Sequence, residues 1–352
     1  MRENKIQQLG NDLDSDGNFI GQKKDESQIV ADNPYEDLEI NENNRQAFLE
    51  REKLAIETGK TYAEVLDILL SSESTDKKER CFGLIKNMPP ASRTLFEKGV
   101  NLVFDQINSN QDILKEHKDN EIGFLFDHVL SDLNIPETEA NNVRSLVAES
   151  QLLEPTAGIP IIAIDRRLLR RVFYMAGQEI PPGQDVNFCA HGVSPKEPTF
   201  IVISKNTGEE YQIGKNQRQY DDLKHELNHF VWRQMEKSGF ARKITGENTT
   251  EKEAFGRFRS ESIAYLLMDG QSLFDKTSPE HLVSTDEPEI LDKVELSQSI
   301  MSVLGRKLES ISGTSRNALV YYIFSSRNFD ECLDNLTKLN ERINEINLGH
   351  NQ

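Results

Sequence analysis

The sequence predicts an α+β protein, mainly helical, with one small β-sheet set between helical N-terminal and C-terminal regions. Three observations carry this reading. Apolar residues recur at helical spacing from Asn44 to about Leu153 and again from Ile290 onward. Between Ile159 and Ile213, short β-branched runs alternate with glycine and proline turns. From Gln219 the helical period returns, and there the side chains suited to chemistry collect.

Composition narrows the classes. The 352 residues allow roughly two or three compact units. Acidic residues outnumber basic ones 59 to 41, and the net charge of -18 argues against broad binding to nucleic acid or anionic membranes. No apolar run approaches a bilayer span, and Met1 to Gln8 contain no signal-type apolar core. Cys81, Cys189 and Cys332 are widely spaced and odd in number, so a disulfide framework is not expected. A cytoplasmic protein is the simplest expectation, with signal-independent export left open.

Residues 1–43 read as an acidic disordered tail. Within it Asp12, Asp14, Asp16 and Gly17 match the first half of an EF-hand loop, a possible weak Ca2+ site. Lys23 stands where the bidentate glutamate belongs, and an acidic tail with a turn is the plainer reading. Residues 44–155 read as a helical accessory domain. Helices are expected over 45–57, 61–70, 92–107, 113–133 (weak at Gly123) and from Pro136 to about Leu153. His117 and His128 lie in this segment without partners at metal-ligand spacing.

At residues 154–158 the composition changes. Ile159 to Ile164 reads as a buried strand, and Asp165 as the cap of a helix over 166–176 whose arginines form a solvated face. Val186 to Ala190 and Thr199 to Ser204 follow as strands, with a second short strand expected at Tyr211 to Ile213. A helix from Gln219 to about Lys237 then carries Lys224-His225-Glu226-Leu227-Asn228-His229. Leu223, Leu227, Phe230, Val231 and Met235 make its core-facing stripe, beside the edge of His225 and His229.

The spacing H-E-x-x-H puts two imidazoles one turn apart on one helix face, where both can bind a single ion. Glu226 is then placed to take a proton from water at that ion. Two histidines leave a catalytic site one protein ligand short. A second helix, expected from Glu251 to about Met268, carries Glu261, 32 residues beyond His229. Glu247, Glu251, Glu253, Asp269 and His281 are further donors in range, and Arg257 could pair with Glu253 or Glu261 on a wet face. Ile263, Ala264, Leu266 and Leu267 favour Glu261, because a carboxylate buried among them needs a partner.

Strands, an H-E-x-x-H helix and then a glutamate-bearing helix together resemble the gluzincin branch of the zincin metallopeptidases. The resemblance covers residues 156–275, about a third of the chain. It implies a zincin-type active-site helix in a catalytic unit over 156–275. The apolar helical pattern of 276–352 separately predicts a helical C-terminal region packing on that unit. It implies one catalytic Zn2+ held by His225, His229 and Glu261, Glu226 as general base, and a metalloendopeptidase acting on a protein or peptide substrate. Several gluzincins carry E-x-x-x-D, whose aspartate braces a ligand histidine; this chain has Tyr265 there. The edge expected to receive an extended peptide is the strand Phe200 to Ile203 or its partner at Tyr211. Cys189 and His191 form a C-x-H pair lacking further nearby donors, so a second metal site is not expected. The competing reading is a helical scaffold or partner-binding protein with a non-catalytic H-E-x-x-H. The oligomeric state stays open.

Overall fold

In the computed structural model the described residues are 42–71, 76–88, 90–147, 150–153, 158–178, 180, 186–192, 197–212, 217–246, 248–267, 274, 277–283, 285–312 and 317–348. The calcium-type motif at Asp12, Asp14 and Asp16 lies outside them, as do Glu247 and Asp269. In chain order the elements are α1 (Glu42–Leu70), α2 (Lys77–Ile85), α3 (Pro90–Glu116), α4 (Glu121–Asp132), α5 (Glu137–Arg144), β1 (Gln151–Leu153), β2 (Ile161–Asp165) and α6 (Arg166–Met175). There follow β3 (Phe188–Ala190), β4 (Phe200–Lys205), α7 (Gln217–Ser238), α8 (Thr249–Leu267), α9 (Pro279–Val283), α10 (Pro288–Ser312), α11 (Asn317–Ser325) and α12 (Phe329–Leu348). The fold is α+β and mainly helical, with one four-stranded mixed sheet. No helix among the described residues is long and apolar enough to cross a membrane.

The sheet runs in the order β1-β2-β4-β3, with β2 and β4 parallel at its centre and an antiparallel strand on each side. Side chains alternate between the two faces of a strand, and here both faces are buried. Ile161, Ala163, Ile201 and Ile203 enter one core, while Ile162, Ile164, Phe200 and Val202 enter another. Burial on both faces explains why these strands read as unbroken apolar runs. Helices α4, α5 and α6 supply the second core through Leu125, Phe126, Val143, Leu168, Leu169 and Val172. The first core holds α7 and α8 together with α1, α3 and α11.

Aromatic rings join these helices. Tyr62 of α1 meets Phe324 of α11 edge-on at 5.3 Å, and Phe324 lies 4.8 Å from Trp232 of α7. α3 crosses α7 so closely at Gly99 that a Cβ there would collide with Met235. Asn110, fully buried near the end of α3, donates to the Thr199 carbonyl at 2.8 Å and accepts from the Thr199 N–H at 3.0 Å. One side chain thus satisfies the backbone at the entrance to β4. Asp165 caps α6 as expected, accepting from the N–H groups of Arg167 and Leu168.

Several local expectations change. The helix begun after Pro136 stops at Arg144, and residues 151–153 form β1 because Leu152 and Leu153 find partners at Ile162 and Ile161. The helix expected over 113–133 divides: α3 continues to Glu116, turns follow, and α4 starts at Glu121. No strand forms at Tyr211 and Gln212. The Gln151 side chain accepts from the Tyr211 N–H at 2.9 Å and donates to its carbonyl at 3.1 Å, taking the place of a strand partner. His117 and His128 flank Phe124, one stacked at 3.7 Å and one edge-on at 4.8 Å, in a packing role.

Candidate metal centre

α7 runs with its apolar stripe in the first core and its His225–His229 edge facing a cleft of about 770 Å³. α8 packs alongside and directs Glu261 into the same cleft. His225 Nε2 lies 3.2 Å from Glu261 Oε2, and His229 Nε2 lies 3.6 Å from Glu261 Oε1. One donor atom from each of the three residues falls within 4.8 Å of the others, so the group could hold a metal ion. Two ligand atoms sharing a tetrahedral ion at zinc bond lengths are about 3.4 Å apart, and the two separations to Glu261 bracket that value. The donor set, two imidazoles and one carboxylate, is also the right chemistry for zinc.

The other donors sort themselves out. Glu251 is held by Lys293 at 3.1 Å and Glu253 is exposed. His281, on α9, lines the cleft as a rim residue. Cys189 Sγ and His191 Nδ1 are 3.9 Å apart in the cleft wall, and among the described residues no third donor joins them. All three cysteines are unpaired. Arg257 approaches Glu261 at 3.9 Å with its side chain about half exposed, so Glu261 faces the histidines and the arginine together.

Position 265 offers no carboxylate to His229, and a serine hydroxyl meets its ring instead. His229 Nδ1 is 2.7 Å from Ser260 Oγ, one residue before Glu261. In the tautomer that metal binding requires, Nδ1–H donates to this hydroxyl and leaves Nε2 free. Ser260 is itself located by its carbonyl, which accepts from Asn228 Nδ2 at 3.2 Å, while Asn228 Oδ1 accepts from the Tyr62 hydroxyl at 2.8 Å. Tyr265 instead packs its ring edge-on against His225 at 5.0 Å and bonds Thr277 through its hydroxyl. Neither Ser260 nor Tyr62 was marked by spacing or type. The only signal for Ser260 was its place beside Glu261, on a helix expected to return along α7.

The electrostatics follow from burial. Glu226 is only 6% exposed; burial, reinforced by Glu261 and Asp222 and opposed by His225 and Arg257, pushes its carboxyl up to about 7. Burial pushes His229 down to about 4. Burial also acts on Glu261, but His229, His225 and Arg257 outweigh it and bring its carboxyl down to about 2. Burial lowers His225 too, but the hydrogen bond with Glu261 and the charges of Glu226, Glu261 and Asp222 outweigh it and raise its pKa. Neutral imidazole and ionised carboxylate are the forms that ligate a metal, so His229 and Glu261 stand in those forms and an ion would have to displace a proton from His225. Beneath the site Arg259 is fully buried, with its guanidinium 4.9 Å from the Trp232 ring and Nη1 donating to the Arg242 carbonyl at 2.8 Å.

The edge strand beside the cleft is β3, not β4. β4 pairs with β2 on one side and β3 on the other, so Phe200 to Ile203 lie inside the sheet. Phe188 and Cys189 of β3 line the cleft. Comparison of the chain with protein-family models, with curated proteins and with solved structures finds no match in any of the three.

Proposed function

We propose that this chain is a zinc-dependent endopeptidase, with His225, His229 and Glu261 as ligands and Glu226 as general base. The observation that carries the reading is convergence: three donors from α7 and α8 meet at metal-sharing distances beside a buried glutamate, in a cleft large enough for a peptide. A zinc ion bound there would supply Lewis acidity that brings the pKa of water toward ~7. Glu226 takes the proton from the attacking water as its oxygen reaches the scissile carbonyl, then passes it to the leaving amine. Burial favours the protonated form of Glu226, which is the direction that lets it hold the proton between the two transfers. Ser260 keeps His229 oriented, and the apolar stripe of α7 keeps the histidine edge at the cleft. An extended substrate would lie along the outer edge of β3 by strand addition. Three unpaired cysteines suit a reducing compartment such as the cytoplasm.

The test is Glu226→Gln. The variant should bind one equivalent of zinc while losing chelator-sensitive cleavage of an unfolded protein substrate such as casein. Cleavage retained in Glu226→Gln would refute the mechanism. Zinc-free wild type that cleaves nothing after zinc is added would refute the function.

A further inference from the structure

We propose that Arg233 is a carboxylate-reading residue, and that the cleft takes peptides carrying a carboxylate on the β3 side of the cleaved bond. The inference rests on the endopeptidase reading and names its substrate class. Arg233 lies one turn beyond His229 on the same edge of α7 and lines the same cleft. The cleft has a second arginine, Arg257, whose partner is Glu261 at 3.9 Å. Among the described residues no carboxylate lies within ion-pair distance of Arg233.

The nearest acid does not satisfy it. Glu236, three residues on, also lines the cleft, but the charge acting on it most is the fully buried Arg259, and the Trp232 indole bonds it as well. Continuing along the helix edge, the next side chain after Arg233 is another cation, Lys237. Burial and then Arg233 lower its pKa, so two positive groups stand together. Across from them is the cleft-lining end of β3, with Cys189 and His191. A guanidinium partly sheltered in a cleft, with donors unspent, is shaped for two parallel hydrogen bonds to a carboxylate.

Register sets the position. Four residues of helix displace Arg233 from His229 by about 6 Å along α7. An extended peptide advances about 3.3 Å per residue. The carboxylate therefore falls about two residues from the scissile bond, as an acidic side chain within the peptide; a free chain end at that distance would instead turn the same chemistry to trimming dipeptides from a C-terminus.

The test uses full-length Glu226→Gln protein loaded with one equivalent of zinc, so that peptides bind without turnover. The probes are fluorescein-labelled ten-residue peptides of alanine, serine and leucine. Each carries one glutamate at a scanned position and has a glutamine twin; a further pair differs only in a free or amidated C-terminus. Fluorescence anisotropy should find at least one carboxylate placement bound about tenfold tighter than its neutral twin, the scale of one charge-assisted hydrogen bond. Adding Arg233→Gln should abolish that ratio, and Arg233→Lys should keep part of it. Zinc content and thermal midpoint verify that each variant is folded. A glutamate placement identifies a side chain as the source, and the free-acid pair identifies a chain end. Equal affinities within every pair, or a preference that survives Arg233→Gln, would overturn the proposal. Wild type that cleaves peptides without carboxylate preference sinks this inference alone; a preference seen in binding with no cleavage by zinc-loaded wild type sinks the peptidase reading alone.

Discussion

His229 and Ser260 are joined across two helices by a 2.7 Å contact between Nδ1 and the serine hydroxyl, and through Asn228 the link extends to Tyr62 on α1. Removing the outer partner of a metal-binding histidine typically costs 10- to 100-fold in metal affinity. Ser260→Ala should therefore weaken zinc binding by roughly that factor, read by competition with a fluorescent chelator. Ser260→Thr, which keeps a hydroxyl, should restore part of it. Unchanged affinity in Ser260→Ala would show that the hydroxyl does not orient the ring.

If Glu261 is the third ligand, as proposed, Glu261→Ala should lose zinc more completely, because the carboxylate stands between the two imidazoles. Metal analysis after dialysis should find well under one equivalent. Full retention would pass the ligand role to His281, which lines the same cleft.

Asn110→Ala leaves the N–H and carbonyl of Thr199 buried without their partner. Two such losses should cost about 2–4 kcal/mol, seen as a lower urea midpoint. A change below about 0.5 kcal/mol would mean that water replaces the amide.

Asp165 gives a pH signature. Burial raises its carboxyl, but hydrogen bonds from Thr207, Arg167 and Leu168 prevail and hold it below the usual range. A depressed folded pKa means that the stabilisation is present above the unfolded value of about 3.9 and is lost as pH falls through the folded value. Asp165→Asn keeps a cap without the charge, so its stability deficit against wild type should shrink between about pH 5 and pH 3. A deficit constant over that range in urea titrations would exclude this role for the charge.

What the sequence made legible follows period and neighbourhood. The 3.6-residue stripe of Leu223, Leu227 and Phe230 places the histidine edge of α7 without knowledge of the fold. The unbroken apolar runs of β2 and β4 announce strands covered on both faces. The partnership of Ser260 with His229 could not be read, because it needs the lateral offset of two helices, which no local pattern encodes. The edge position of β3 was hidden for a similar reason: strand order depends on the crossover between β2 and β4, and a three-residue strand carries little periodic signal. Gln151 bonding the Tyr211 backbone shows a side chain substituting for a strand partner across 60 residues.

Tyr62 and Asn228 are 166 residues apart. During synthesis at 5–20 residues per second, α1 leaves the ribosome roughly 8–30 s before the helix it must meet. Throughout that interval the face of α1 bearing Tyr62, Leu66 and Leu69 has neither α7 nor α11 to cover it. A helix that supports the histidines from behind is thus made well before the helix that carries them, so the nascent chain must shelter an apolar face until α7 and α11 arrive.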